Sequence, residues 1–135
     1  MFKLKKIFNS GVNVPEPEIV PVQPPLSGKP GCAFVLSEGK LIRGDGLTMP
    51  SYINIAPIKS SDTSAICYRI TPDMLFEVEI MGEDISSVEN GMKLPIYLEK
   101  NAFCKVGDIP EDGLATVYDT NGATKDNDTV YVVFK

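Results

Sequence analysis

From about residue 31 onward the chain is cut into short apolar or alternating runs by recurring turn residues, and this spacing constrains the fold more than any other feature. The runs are CAFVL, LIR, YINIA, AICYRI, MLFEVEI, KLPIYL, AFCKV, LATVY and TVYVVF; the breaks between them are SEGK, RGDG, TPD, EKN, PEDG, TNG and KDND. Runs of this length, rich in β-branched and aromatic residues and bounded by Gly, Asn and Asp, are strands joined by tight turns. MLFEVEI alternates, with Phe76, Val78 and Ile80 on one face and Glu77 and Glu79 on the other. TVYVVF suits a strand buried on both sides. The one helical candidate is EDISSVEN, short and stopped at Asn90–Gly91. The expected fold is all-β, a small barrel or sandwich of short antiparallel strands and hairpins.

Two segments follow one plan, GKPGCAFVLSEGKLIRGDG and ENGMKLPIYLEKNAFCKVGD. Each opens at a Gly, runs an apolar strand, turns through a polar pair and returns. A tight hairpin needs a residue that accepts positive φ, and Gly39 or Asn101 supplies it. The echo reads as two ordinary hairpins or as an old duplication.

The first thirty residues read differently. MFKLKKIFNS sets Phe2, Leu4, Ile7 and Phe8 among Lys3, Lys5 and Lys6. Helical spacing groups Leu4, Ile7 and Phe8; strand spacing groups Phe2, Leu4 and Lys6. Neither element is stable alone. Residues 11–30 then carry six of the eleven prolines. Such a segment is extended and stiff, and its stretch from Pro15 to Pro30 reaches roughly 50 Å at ~3.1 Å per residue. The sequence thus divides into a basic, apolar docking tip at 1–10, a Pro-rich extended arm at 11–30 and a β-rich domain at 31–135. The tip's residues Phe2, Lys3, Leu4, Lys5, Lys6, Ile7 and Phe8 are the candidate partner-binding set. They would fill a groove or add a strand to a sheet edge, their lysines meeting an acidic rim.

Charge follows the same division. Residues 1–30 hold four lysines and two glutamates, whereas 31–135 hold nine basic and sixteen acidic residues. A net charge of −5 and a pI near 4.7 argue against nucleic-acid binding. The basic start leads into KIFNSG, too short an apolar run for a secretory signal, and no stretch is long enough to cross a bilayer as a helix. Three lysines and four apolar residues would hold a membrane surface only loosely.

Chemistry is sparse. The chain has no His, which removes the usual general base near neutral pH and every imidazole-dependent triad. Cys32, Cys67 and Cys104 lie far apart among apolar neighbours and read as small buried hydrophobes suited to a reducing compartment. A single disulfide with one thiol left over has no support in their spacing, and no CxxC pair suggests zinc. DTNGATKDND gathers Asp119, Asn121, Asp126, Asn127 and Asp128, but no glutamate closes it as a calcium loop. The simpler reading is a solvated turn with Asn121–Gly122 at its corner. Glu83–Asp84, Glu111–Asp112 and the RGDG at Arg43–Gly46 likewise read as loop residues. No catalytic, cofactor-binding or metal site is expected.

One resemblance extends this reading. Residues 28–80, with Gly39–Lys40–Leu41, Pro50–Ser51–Tyr52–Ile53 and the run from Cys67 to Val78, resemble the head decoration, or cement, proteins of tailed bacteriophages. GMKLPIYLEKNAFCKV, GLATVYDTNGA and DNDTVYVVFK continue the likeness, which covers about 105 residues. The proline arm is longer than the tails of that group. The resemblance implies a non-enzymatic, β-rich knob on the capsid exterior of a virion, made in the host cytoplasm. It implies the major capsid protein as partner and favours a trimeric homo-oligomer, with the arm strapping onto neighbouring subunits. The alternatives are the base of a head fibre, or a β-barrel adaptor whose basic peptide docks into a partner groove or an anionic membrane. A divalent-ion or small-ligand enzyme is a third reading.

Overall fold

The structure, a computed structural model, describes residues 1–11, 14–100, 102–110 and 113–135. The fold is all-β. Its strands are β1 (Lys3–Ile7), β2 (Glu18–Pro21), β3 (Ala33–Ser37), β4 (Lys40–Arg43), β5 (Tyr52–Asn54) and β6 (Ser64–Arg69). They continue as β7 (Met74–Met81), β8 (Lys93–Leu94), β9 (Ile96–Glu99), β10 (Ala102–Gly107), β11 (Ala115–Asp119) and β12 (Thr129–Phe134). EDISSVEN yields only a single 3₁₀ turn, Ile85–Ser87. Its two serines favour hydrogen bonding to nearby backbone over a helix interior.

The strands join in the order β2-β6-β5-β3-β10-β7-β12-β11-β8, with β1, β4 and β9 branching from β7, β3 and β10. The sheet is mixed and is not closed into a barrel. Among the described strand pairings β7–β10 is the parallel one, with Val106 opposite Ile80, where antiparallel pairing was expected throughout. The end strands explain the open edges. β2 contains Pro21, which offers no amide to a further strand, and β8 is two residues long and stopped by Pro95.

Two clusters form the core. The first unites Phe76, Val78 and Ile80 of β7 with Val130, Val132 and Phe134 of β12, Val117 of β11 and Ile53 of β5. Glu77 and Glu79 point the other way, as the alternation requires. The second cluster unites Phe34, Leu41, Tyr52, Cys67, Cys104 and Cys32 with Val20, Val22 and Leu26.

The last three of those residues, with Phe2, correct the expected division of the chain. Phe2 is 3% exposed and belongs to the first cluster, and β1 is an antiparallel neighbour of β7. β2 is hydrogen-bonded along β6, with Glu18 opposite Cys67 and Pro21 opposite Ser64. Residues 1–10 are therefore not a free tip, and the described part of 11–30 is not a tether without partners. The physical reason is the prolines' spacing. The alternate residues Glu18, Val20 and Val22 turn their amides to β6 while Pro21 faces away from it, and Val20, Val22 and Leu26 bring enough apolar surface to enter the core.

The first echo segment is the β3–β4 hairpin, turning at Glu38 (φ 49°) and Gly39 (φ 79°). Two successive positive φ values are the signature of the turn that matches strand twist. In the second echo segment β9 and β10 pair, and Lys100 takes the positive φ. Asn101, expected in that role, lies outside the described residues.

Candidate interaction surface

The N-terminal set is built onto β7 as a strand. Leu4 lies opposite Phe76 and Ile7 opposite Met74, with a register shift between Leu4 and Lys6. The Phe2 ring packs edge-on against Phe76 and at 5.3 Å from the Phe134 centroid. Lys5 Nζ lies 3.3 Å from a Glu77 carboxylate oxygen, and the N-terminal ammonium meets the Glu79 carboxylate. The acidic rim expected of a partner is thus β7 of this same chain. Lys6 sits over the Phe8 ring, and Phe8 stacks at 5.2 Å against Tyr118. Phe2, Ile7 and Phe8 are turned to their own chain and do not form a docking face.

Lys3 and Leu4 have a different position. With Ile53, Ile55, Tyr68 and Phe76 they line a surface groove of about 390 Å³. Its location follows from strand alternation. The sheet face that is core at Ala33 and Ile53 continues across the ladder to Tyr68, opposite Ile53, and then along β6 to Ile66. Ile19 of β2 lies directly opposite Ile66. Beyond the cover of β1 this face opens to solvent. Ile66 is 44% exposed and Ile19 77% exposed, on ordered, hydrogen-bonded strands. The result is an apolar path from the groove to the sheet edge.

Sequence reasoning missed Ile19, Ile55, Ile66 and Tyr68. A signal was present in AICYRI, where the small Ala65 and Cys67 alternate with the bulkier Ile66 and Tyr68. The small pair is buried and the large pair faces outward.

An ion pair closes the same corner. Arg69 donates to Glu18 through Nε and Nη2, both at 3.0 Å, and Tyr52 Oη donates to Glu18 at 3.3 Å. The guanidinium holds the Glu18 carboxyl below its ordinary value. Burial, with Glu18 nearby, pushes the Cys67 thiol up to about 12.

The other candidate groups are turn acceptors. Asp45 in RGDG accepts from the amides of Leu47 and Thr48, each at 2.8 Å. Asp119 accepts from the Asn121 amide, and Asp128 accepts from the Thr124 and Lys125 amides. Asp126 accepts from the Gly82 amide at 3.2 Å. Asn121 and Gly122, with φ of 54° and 69°, form the corner. Asp84 opens the 3₁₀ turn, its amide donating to Asp108. Glu111–Asp112 lies outside the described residues. Among the described residues no group of three Cys, Asp or Glu side chains is placed to hold a metal ion. Among them, too, no helix is long and apolar enough to cross a membrane. In comparisons with known proteins, no family model and no curated sequence matches the chain.

Proposed function

We propose that this chain is a non-enzymatic structural protein that binds the outer surface of a bacteriophage capsid and stabilises the shell. The observation that carries the docking mode is the pair Ile19 and Ile66, directly opposed on the edge ladder and both exposed at the end of the apolar path from the groove. An exposed apolar path beside a groove marks an interaction site. Burying one such side chain contributes about 1.5–3 kcal/mol, and a shell repeats each contact many times. Binding to the assembled shell alone then stabilises it by mass action.

The likeness of the body to head decoration proteins supports the choice of partner, the major capsid protein, and a threefold cluster of copies on the virion exterior. The strap expected at the N-terminus is not carried into this proposal. Phe2 is core, and Leu4 and Ile7 face β7, so freeing them would expose what they now cover. The body docks and β1 completes it. Expanded tailed-phage shells stripped of their decoration protein, mixed with this chain and sedimented, test the reading. Co-sedimentation and a raised shell melting temperature are expected; binding to anionic vesicles but to no shell would replace it with the adaptor reading.

A further inference from the structure

Cys32 and Cys104 are brought together by the sheet and are used by nothing described above. Ala33 of β3 lies opposite Phe103 of β10 in an antiparallel ladder. One step along that register sets Cys32 opposite Cys104. Ala33 and Phe103 pack toward the first core cluster, and alternation turns both cysteines to the second, where both are buried. Opposed residues in such a ladder have Cα atoms about 4.5–5.5 Å apart, within the roughly 4.4–6.8 Å that a disulfide spans. Both thiols are free, and the Cys104 thiol donates to a Glu99 carboxylate oxygen at 3.7 Å. They also line the inner wall of a surface pocket of about 390 Å³, shared with Met1, Lys29, Glu99 and Lys100. A small molecule therefore has a route to sulfur atoms that the strands otherwise cover.

We propose that Cys32 and Cys104 form a redox-sensitive dithiol site, converted to an intramolecular disulfide by a low-molecular-weight disulfide entering this pocket. The Cys104 thiolate attacks one sulfur of the reagent, forming a mixed disulfide and releasing the first small thiolate. Cys32 then gives up its proton to solvent and attacks the Cys104 sulfur, expelling the second. The protein loses two electrons and two protons, and the reagent leaves as two thiols. The order of attack follows from the surroundings: the Cys32 contact and the nearby N-terminal ammonium hold Cys104 below the ordinary thiol range against burial and the opposing Glu99 carboxylate, which accepts from its thiol at 3.7 Å, while the same Cys32–Cys104 contact and burial push Cys32 up. Cys67 is buried in the same cluster but does not line the pocket, and burial raises its thiol, so it stays reduced. The closed bond would staple β3 to β10, next to the Ala33–Phe103 pair.

The test uses the full chain and oxidised glutathione near neutral pH. The reaction is quenched with acid, the protein denatured, and remaining thiols labelled with N-ethylmaleimide before mass spectrometry. The expected product has lost the mass of two hydrogen atoms, carries one label on Cys67, and yields a linked pair of peptides containing Cys32 and Cys104. Dithiothreitol restores three labelled thiols. Cys32→Ser should trap glutathione on Cys104, while Cys104→Ser should add it to Cys32 at least tenfold more slowly. Three labelled thiols after oxidation, or a linkage through Cys67, would overturn the proposal, and these readouts need no variant. Equal adduct rates in the two variants would overturn the order of attack.

Discussion

Phe2 and Phe76 meet edge to face, their ring centroids 6.4 Å apart and their planes at 86°. This contact joins Phe2 to the first half of β7, the longest of the described strands, and Phe134 completes the trio. Phe2→Ala removes a fully buried ring from a packed cluster, so a loss of about 3–5 kcal/mol is expected. Urea unfolding followed by circular dichroism measures it. A loss under 1 kcal/mol would show that the N-terminal strand is not part of the core.

Gly31 is the backbone position against which the start of that strand packs. Its φ is +95°, and a Cβ added there would lie 2.9 Å from both the Phe2 carbonyl oxygen and the Met1 Cβ. The Phe2 amide donates to the Gly31 carbonyl at 2.8 Å. Gly31→Ala should therefore detach Met1–Ile7 while leaving most of the sheet intact, at a cost of about 1–3 kcal/mol from backbone strain alone. Hydrogen exchange locates the effect: protection should fall first at the Phe2 and Phe8 amides. Unchanged protection at both amides would contradict this.

Asn54 is 1% exposed and organises the loop before β3. Its Oδ1 accepts from the Cys32 amide at 2.8 Å, and its Nδ2 donates to the carbonyls of Lys29 and Ala56 at 2.9 and 3.0 Å. Asn54→Ala leaves those buried groups without a partner, each costing about 1–3 kcal/mol. Asn54→Asp keeps the acceptor but sets a carboxylate against two carbonyls, and should destabilise at least as much. Thermal melts of both variants check the order; an Asp variant as stable as the parent would refute this account.

The Glu18–Arg69 pair predicts an acid-sensitive edge. Arg69 depresses the folded-state pKa of Glu18, so the stabilisation is present above the unfolded carboxylate value, about 4.3, and is lost as pH falls through the lower folded value. The parent should exceed Glu18→Gln in melting temperature at pH 7, and the gap should narrow as pH falls below the unfolded carboxylate value. Parallel melting curves for the two proteins across this range would rule the pair out as the cause.

Ile19→Asp places a charge on the exposed edge without touching either core cluster. Its melting temperature should match the parent, surface changes of this kind costing within about 0.5 kcal/mol. Shell binding, by contrast, should weaken at least tenfold, and Ile66→Asp should do the same. Full binding by the folded double variant would remove the edge ladder from the docking surface.

Much of the strand pattern was readable locally. MLFEVEI alternates as β7 does, TVYVVF is the largely buried β12, and the Asn121–Gly122 corner forms where turn chemistry places it. Three things were not readable. EIVP looked like part of a stiff arm because its flanking prolines dominate any local window, yet Pro21 faces away from β6 and the alternate amides on the other side suffice for a ladder. FKLKKIF looked like a peptide seeking a foreign groove because its complement, Glu77 and Glu79 on β7, lies more than seventy positions away. The outward face of Ile66 was hidden because alternation tells which residues share a side, not which side meets water.

The amino-acid order alone settled most of the elements from β3 onward, where strands run and where they turn, since side-chain alternation and tolerance of positive φ act within a few residues. Only the folded molecule decided membership and exposure. Whether Phe2 is bait or core, whether Cys32 meets Cys104, and whether Ile19 is covered all depend on pairings between distant segments. Those pairings are selected by the joint burial of many side chains, a property of no single stretch.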